Sequence, residues 1–456
     1  MTRFACVALA GCLLVSSLLG AEPPTTPAVK IDPAAVARTI KQLESDDYTV
    51  RDAAQKALER LGPAALPLLR QAAQDATDPE VRRRLEAVIP KLEQVAALAP
   101  TRVTLNVTNQ PVGDVIKELA RQSGYEIKLW PSGNFNEEGR VITLNLKDVT
   151  FWEALERVCE LGGLTQEGWH GPDQAPINLR FGDSYPNIAA YNGPFRVIAR
   201  GFRMDKTIEF SGGPRHAGNG PIRQYANLQI TLGISSEPRL PLVGAGQPIF
   251  TEAVDETGQS LLPESQPHSS SFVSYGGYRM PMHIVTGNLR PAAGTRVKLI
   301  KGTIPVTVVY ATKPKITIER IQTVKDKTFK EGNTTLTIDE VTENGAQLVL
   351  RLTITEAVPQ GARNFLLYDS NALAQRLVLT DAQGNEYRTH YPNSMSSNGT
   401  TIQATFTYNL NNPNGKGFQP PPAGGAKKVG PLTLTYIEWS TMTHEVPFEF
   451  RDLPLP

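Results

Sequence analysis

The residues best suited to metal binding or nucleophilic chemistry are few and scattered. The six histidines are His170, His216, His268, His283, His390 and His444. No two of them stand at a spacing that would put both on one helical face. Neither His-Glu-x-x-His nor a Cys/His cluster occurs, which leaves only a zinc site assembled across domains. Of three cysteines, Cys6 and Cys12 lie in an apolar N-terminal run and Cys159 lies in a helical pattern beside Leu155 and Val158. A thiol on that apolar face reads as a buried, inert core residue. The glycine-rich stretch from Gly212 to Gly220 lacks the Gly-Lys-Ser/Thr of a phosphate-binding loop, and no Gly-x-Ser-x-Gly elbow is present. Asp255 and Asp381 each stand in an Asp-x-x-Gly context that reads as a turn rather than a calcium loop. Paired carboxylates for glycoside hydrolysis stay open, because their spacing is set in space rather than in sequence.

The aromatic residues give the functional lead. Trp152 opens a predicted helix at a position where an internal repeat has Gly113, and Phe151 already fills the adjacent core position. A large aromatic on the outer side of a helix start suits a partner interface. Trp130 and Trp169, near the ends of the same repeat, join it as candidate interface residues, with packing beneath a neighbouring domain as the alternative. The expectation is therefore no catalytic centre, no cofactor and no metal.

The elements that carry these residues follow from the chain order. Residues 1–21 have one charge, Arg3, an apolar run from Phe4 to Leu19 and Gly20-Ala21 before a polar, proline-rich stretch. That order predicts a secretory signal peptide cleaved near Ala21. Leu9-Ala10-Gly11-Cys12 offers a lipoprotein alternative, but a second apolar run follows Cys12 where a tether should be polar. Loss of the leader leaves 45 basic against 45 acidic residues. A balanced charge without a long Lys/Arg cluster argues against nucleic acid or an anionic membrane as the main partner. No later stretch is apolar enough for a transmembrane span, and a single remaining cysteine allows no internal disulfide. The length predicts several domains.

After a linker at 22–31, helical signals run over 32–99. Asp47-Tyr48-Thr49-Val50-Arg51 recurs as Asp78-Pro79-Glu80-Val81-Arg82, with Ala54 and Leu61 mapping onto Leu85 and Leu92. This pattern resembles HEAT repeats, whose second helix opens with Asp-x-x-Val-Arg. Two units are fewer than an independent solenoid usually needs, which implies support from a neighbour.

Residues 101–180 contain a second repeat. Thr104-Leu105-Asn106 returns as Thr143-Leu144-Asn145, and Gly124 as Gly163. Val107, Val112, Ile116, Leu119 and Tyr125 map onto Leu146, Phe151, Leu155, Val158 and Leu164. Each copy reads as an alternating strand followed by an amphipathic helix ending on glycine. Over about 101–165 the order of elements resembles the secretin and TonB short N-terminal domain of bacterial envelope proteins. The resemblance implies a small α+β domain that works by contact, but no pore segment follows, so a channel or receptor role does not carry over. Pairing of the repeated strands is expected to bury both helices on one sheet face.

From about Phe181 the pattern is β, with Asp-x-x-Gly hairpins at Glu252–Ser260 and Leu379–Glu386. One hairpin per half predicts two β-sandwiches, 186–312 and 313–456, divided near Ala311-Thr312-Lys313-Pro314. Residues 263–277 and 411–428 read as long polar loops.

The expected fold is multidomain: N-terminal α-helical hairpins, a small α+β domain with a duplicated β-α unit, and two C-terminal β-sandwiches. The expected function is an exported, periplasmic or otherwise extracytoplasmic, non-catalytic interaction or scaffold protein whose partner is another envelope protein. One alternative is a carbohydrate-active or other hydrolase with carboxylates on sandwich loops. Another is an accessory of an outer-membrane transport or secretion machine.

Overall fold

A computed structural model of the chain describes residues 32–129, 133–136, 138–166, 177–182, 187–210, 222–263, 272–274, 282–356, 370–389, 392–398, 400–411 and 430–456. The signal peptide, the 22–31 linker, the glycine-rich 212–220 stretch, nearly all of the 411–428 loop and much of the 263–277 loop lie outside these residues. The chain divides into two compact units after Leu92.

The first unit is helical: α1 (Pro33–Lys41), α2 (Tyr48–Arg60), α3 (Leu66–Asp75) and most of α4 (Pro79–Leu98). Its buried side chains include Leu43, Leu58, Leu69, Leu85 and Val88. The repeated Asp-x-x-Val-Arg segments make the same bonds twice. Asp47 caps α2 by accepting from the Thr49 amide at 2.8 Å, and Asp78 caps α4 by accepting from the Glu80 amide at 2.7 Å. Arg51 donates back to the Ser45 carbonyl at 2.7 Å, and Arg82 to the Ala76 carbonyl at 2.5 Å. Each arginine reaches six residues upstream and ties the preceding turn to its helix.

The second unit begins with the duplicated module. It comprises β1 (Arg102–Pro111), α5 (Val112–Ser123), β2 (Ile127–Leu129), β3 (Val141–Thr150), α6 (Phe151–Gly162), β4 (Leu164–Gln166) and β5 (Ile177–Phe181). The repeat is a local two-fold. In the antiparallel pairing of β1 with β3, Asn106 faces its counterpart Asn145, Leu105 faces Leu146 and Val107 faces Leu144. Asn109 and Asp148 occupy equivalent bulges at φ 51° and 53°. Their amides donate reciprocally to the Thr143 and Thr104 hydroxyls at 2.8 and 3.0 Å. Both helices end on a left-handed glycine, Gly124 or Gly163, a conformation glycine adopts without a Cβ clash.

Ile116, Leu119, Leu155 and Val158 share one core with both β1 and β3. The expectation of a single sheet face is corrected. A second, three-stranded sheet in the order β2-β5-β4 contributes Leu164, Ile177 and Leu179 to the same core. The amphipathic helices thus share their apolar faces with two sheets.

The rest of the unit is β-rich. One four-stranded sheet has the order β12-β8-β7-β6, from β6 (Ile188–Asn192), β7 (Phe195–Phe210), β8 (Ile222–Ser236) and β12 (His283–Leu289). A five-stranded sheet has the order β14-β15-β16-β20-β19, from β14 (Lys327–Glu331), β15 (Thr334–Asn344), β16 (Gln347–Glu356), β19 (Ser394–Ser397) and β20 (Thr401–Asn409). A seven-stranded sheet joins β9 (Leu242–Gly246), β10 (Ile249–Asp255), β11 (Phe272–Ser274), β13 (Arg296–Ile318), β17 (Leu377–Thr380), β18 (Glu386–Tyr387) and β21 (Thr433–Pro454). A short helix, α7 (Ser370–Arg376), leads into β17.

Two cores lie within these sheets, and they are built alike. Buried Leu228, Ile230, Leu232 and Ile234 on β8 correspond to Leu348, Leu350, Leu352 and Ile354 on β16. β8 pairs with β7 and β12, as β16 pairs with β15 and β20. β10 pairs with β13, as β17 pairs with β21. The two aspartate turns after β10 and β17 are equivalent. Each Asp amide donates to the carbonyl four residues on, and each Oδ1 accepts from the amides two and four residues on.

The predicted division at 311–314 is corrected by β13 and β21. β13 starts in the first core with Val297, Ile300, Ile304, Val306 and Val308, and ends in the second with Ile316 and Ile318. β21 runs antiparallel from Leu434 and Tyr436 in the second core to Val446, Phe448, Phe450 and Leu453 in the first. The chain crosses the boundary in both directions, so the last residues belong to the first core. Ala311 to Pro314 read as a break because proline supplies no ladder donor. In the strand they lie between two register shifts, at Val309/Ala311 and Pro314/Ile316, where a missing donor is tolerated. Within the predicted 263–277 loop, Phe272–Ser274 is the edge strand β11.

Candidate partner interface

Of the three candidate tryptophans, Trp130 and Trp169 lie outside the described residues. Trp152 is corrected: it is 2% exposed and its polar edge is engaged inside the chain. Its Nε1–H donates to the Pro194 carbonyl at 3.1 Å, and the Arg196 guanidinium lies 4.3 Å from its ring centre. The Phe151 ring sits 5.2 Å away. The outward side of this helix start faces β7, which local sequence spacing does not reveal. In the other copy, the space beside Gly113 is taken by the Asn136 side chain. A Cβ there would lie 2.3 Å from the Asn136 Oδ1 that accepts the Gly113 amide.

Arg196 also donates to Glu156 at 3.0 Å and to the Gln166 Oε1 at 2.7 Å. A second polar cluster surrounds Glu237, directly after β8, whose side chain is 0% exposed. Glu237 accepts from the Thr101 amide at 2.9 Å, the Thr101 hydroxyl at 2.6 Å, the Tyr125 hydroxyl at 2.7 Å and Arg239 Nε at 3.1 Å. Burial, with the Glu237 carboxylate alongside, keeps the Tyr125 phenol protonated well above its ordinary range. Tyr125 also packs edge-on against Phe151, with centroids 4.8 Å apart. Sequence reasoning missed both clusters. Their only trace is a charged residue at the end of an apolar strand, a pattern common to most solvated strand ends.

Two grooves lie elsewhere on the second unit. One, of about 370 Å³, is lined by Asn106–Thr108, Thr143–Leu146, Arg157 and Leu161, where α6 meets the β1–β3 sheet. Leu161 is 38% exposed, and Val141, at the start of β3 and outside the groove lining, is 51% exposed. Among the described residues, the sheet there has two strands. On β1, the Gln122 carboxamide bonds both the amide and the carbonyl of Thr104, as a neighbouring strand would. The other groove, of about 590 Å³, lies on the five-stranded sheet and is lined by Asp326, Asp339, Arg351, Ser394–Ser396 and Gln403–Thr405. There Arg351 pairs with Glu340 at 3.0 Å and Asp339 accepts from Thr353 at 3.0 Å.

Cys159, His283 and His444 are the remaining candidates among the described residues. Cys159 is buried, and desolvation pushes its thiol up to about 12. His283 is buried with Nε2 3.1 Å from the Leu242 carbonyl. His444 stacks on Phe195 at 5.5 Å, and burial lowers its pKa. His170, His216, His268 and His390 lie outside the described residues. Among the described residues, no group of three or more His, Cys, Asp or Glu is placed to hold a metal ion, and no helix is long and apolar enough to cross a membrane.

No family model matches the chain, and no curated protein matches it. A solved structure described as the conserved domain protein from Bacillus anthracis aligns over 57% of this chain and 89% of its own, with 13% identity and a TM-score of 0.15. A likeness at that score carries no argument about fold or activity.

Proposed function

We propose that the protein is an exported, non-catalytic interaction or scaffold protein of the bacterial envelope, working outside the cytoplasm. Its helical unit is read as HEAT-like, its duplicated module as a secretin/TonB short N-terminal-like domain, and its two β cores as sandwiches. The working surface is assigned to the β3 edge and the adjoining groove, where an extended partner segment adds to the two-stranded sheet. One observation supports this reading above the others. Gln122 occupies the β1 edge, whereas β3 has no second strand among the described residues, begins on exposed Val141, and borders the groove lined by exposed Leu161. Long unprotected strand edges invite pairing, so folded proteins generally cover them unless they are used.

The test is affinity capture of the mature chain from envelope extract, compared with Val141→Asp and Leu161→Arg. Both residues are exposed, so the variants should fold and lose the co-purifying protein. Retention of the same partner by both would overturn the assignment of the surface. Export is tested by N-terminal sequencing: a start near Glu22 supports it, and an intact Met1 or a lipid-modified Cys12 argues against it.

The hydrolase alternative draws on one observation, the groove lined by Asp326 and Asp339, where Asp326 holds a left-handed backbone at φ 47°. Turnover of a glycan or ester, lost on Asp339→Asn, would replace the interaction reading. The transport-accessory alternative rests on the family resemblance alone.

A further inference from the structure

Glu237 is a buried carboxylate outside the docking surface just described, and two of its partners come from a different module. Thr101 and Tyr125 belong to the duplicated module, whereas Glu237 and Arg239 follow β8 of the first β core. The duplication of the β cores supplies an internal comparison. Glu356, at the end of the corresponding strand β16, is also buried, and it accepts from Arg376 at 2.8 Å and from the Tyr436 hydroxyl at 2.7 Å. All of those partners lie within its own half. The first half has Ser236 at the place of Glu356; its buried carboxylate comes one residue later, at Glu237, and is turned outward onto the preceding module.

The contact has the character of a docked interface rather than a merged core. The module core and the first β core are separate apolar clusters. Polar ties join them, namely the Glu237 group, Arg239 bound to Thr101 and to the Ala99 carbonyl, the Trp152-to-Pro194 bond, and Arg196 bound to Glu156 and Gln166, with Tyr191 of β6 as an apolar contact against the module core. Interdomain contacts of this polar kind permit relative motion. Arg239 is two residues from Glu237 and travels with it, so separation leaves the carboxylate paired and hydrated instead of stranding a buried charge.

We propose that Glu237 is a latch: breaking its bonds to Thr101 and Tyr125 frees the duplicated module as an intact body from the first β core and bares the Tyr125–Trp152 face. The partner-docking assignment at β3 is independent of this device and is tested separately. In the closed state this aromatic face is covered in cis by Arg196 and Pro194.

Hydrogen–deuterium exchange of the full chain tests the latch with Glu237→Gln, Tyr125→Phe and, as a control, Glu356→Gln. Glu237→Gln should speed exchange about tenfold at the amides around Thr101, Trp152 and Phe195, with the inner turns of α5 and α6 as protected as in the wild type. Tyr125→Phe should give a smaller change in the same segments, and Glu356→Gln none there. Wild-type exchange at the interface in Glu237→Gln would overturn the latch. So would loss of α5 and α6 protection together with the interface, or failure of both Glu237→Gln and Tyr125→Phe to fold, since the cluster would then be ordinary core.

Discussion

Replacing Trp152 by alanine tests whether this side chain is an anchor for another molecule or a part of the fold. The indole is 2% exposed, donates to the Pro194 carbonyl and carries the Arg196 guanidinium on its face. Truncating a buried tryptophan to alanine costs about 3–5 kcal/mol through lost transfer energy and the cavity left behind. The Pro194 carbonyl keeps the Glu237 amide as a donor at 2.9 Å, so loss of the indole N–H adds little to that cost. Against a total stability of about 5–15 kcal/mol for a folded domain, that loss is large. Trp152→Phe keeps one six-membered ring but removes the pyrrole ring with its N–H, so its cost should fall below that of the alanine variant. Urea unfolding followed by far-UV circular dichroism measures both. The expected order is wild type, Trp152→Phe, Trp152→Ala, with midpoints falling at a nearly constant slope. If Trp152→Ala unfolds with the wild-type midpoint, the indole is not packed as described and the reasoning from burial fails.

Leu155→Ala should cost about 2–5 kcal/mol because Leu155 is buried in the module core, whereas Glu118→Ala on the exposed face of α5 should be near neutral; equal losses in the same denaturation assay would show the helical phase to be wrong. Asp255 is held down to about 2, first by the Thr257 hydroxyl and then by the Gln259, Gly294 and Ala293 amides. A depressed carboxylate stabilises the fold above its unfolded pKa of about 3.9 and loses that contribution as pH falls through the folded value. Wild-type stability should therefore drop between about pH 4 and pH 2 by more than that of Asp255→Asn; parallel pH profiles would refute the assignment. Gly302→Ala would place a Cβ 2.4 Å from the Ile249 carbonyl oxygen, a backbone atom, and should lower thermal stability more than Gly113→Ala, whose obstacle is the movable Asn136 side chain; the reverse order of melting temperatures would contradict this. Native Cys159 should resist a thiol reagent at pH 8 and react only after denaturation, because burial keeps it protonated and covered; rapid labelling of the folded protein would show otherwise.

The repeats were legible without coordinates because each carries its own local chemistry. Apolar positions at helical spacing, a left-handed glycine at each helix end and a shared Thr-Leu-Asn strand led directly to the α5 and α6 units. The reciprocal pairing of Asn106 with Asn145 follows from that repetition. Helix caps at Asp47 and Asp78 and the two aspartate turns depend on neighbours within four residues, so sequence suffices for them too. The long strands β13 and β21 were not legible as single elements. Their lysines, glycine and prolines look like punctuation, and only pairing with a strand more than a hundred residues away keeps the backbone extended through them. Trp152 shows the same limit from the other side. Its place at a helix start was read correctly, but which surface it meets depends on where β7 lies, a matter of tertiary packing. The burial of Glu237 and Glu356 was likewise decided in three dimensions: a carboxylate at a strand end is normally solvated, and only donors brought from distant segments make its burial tolerable.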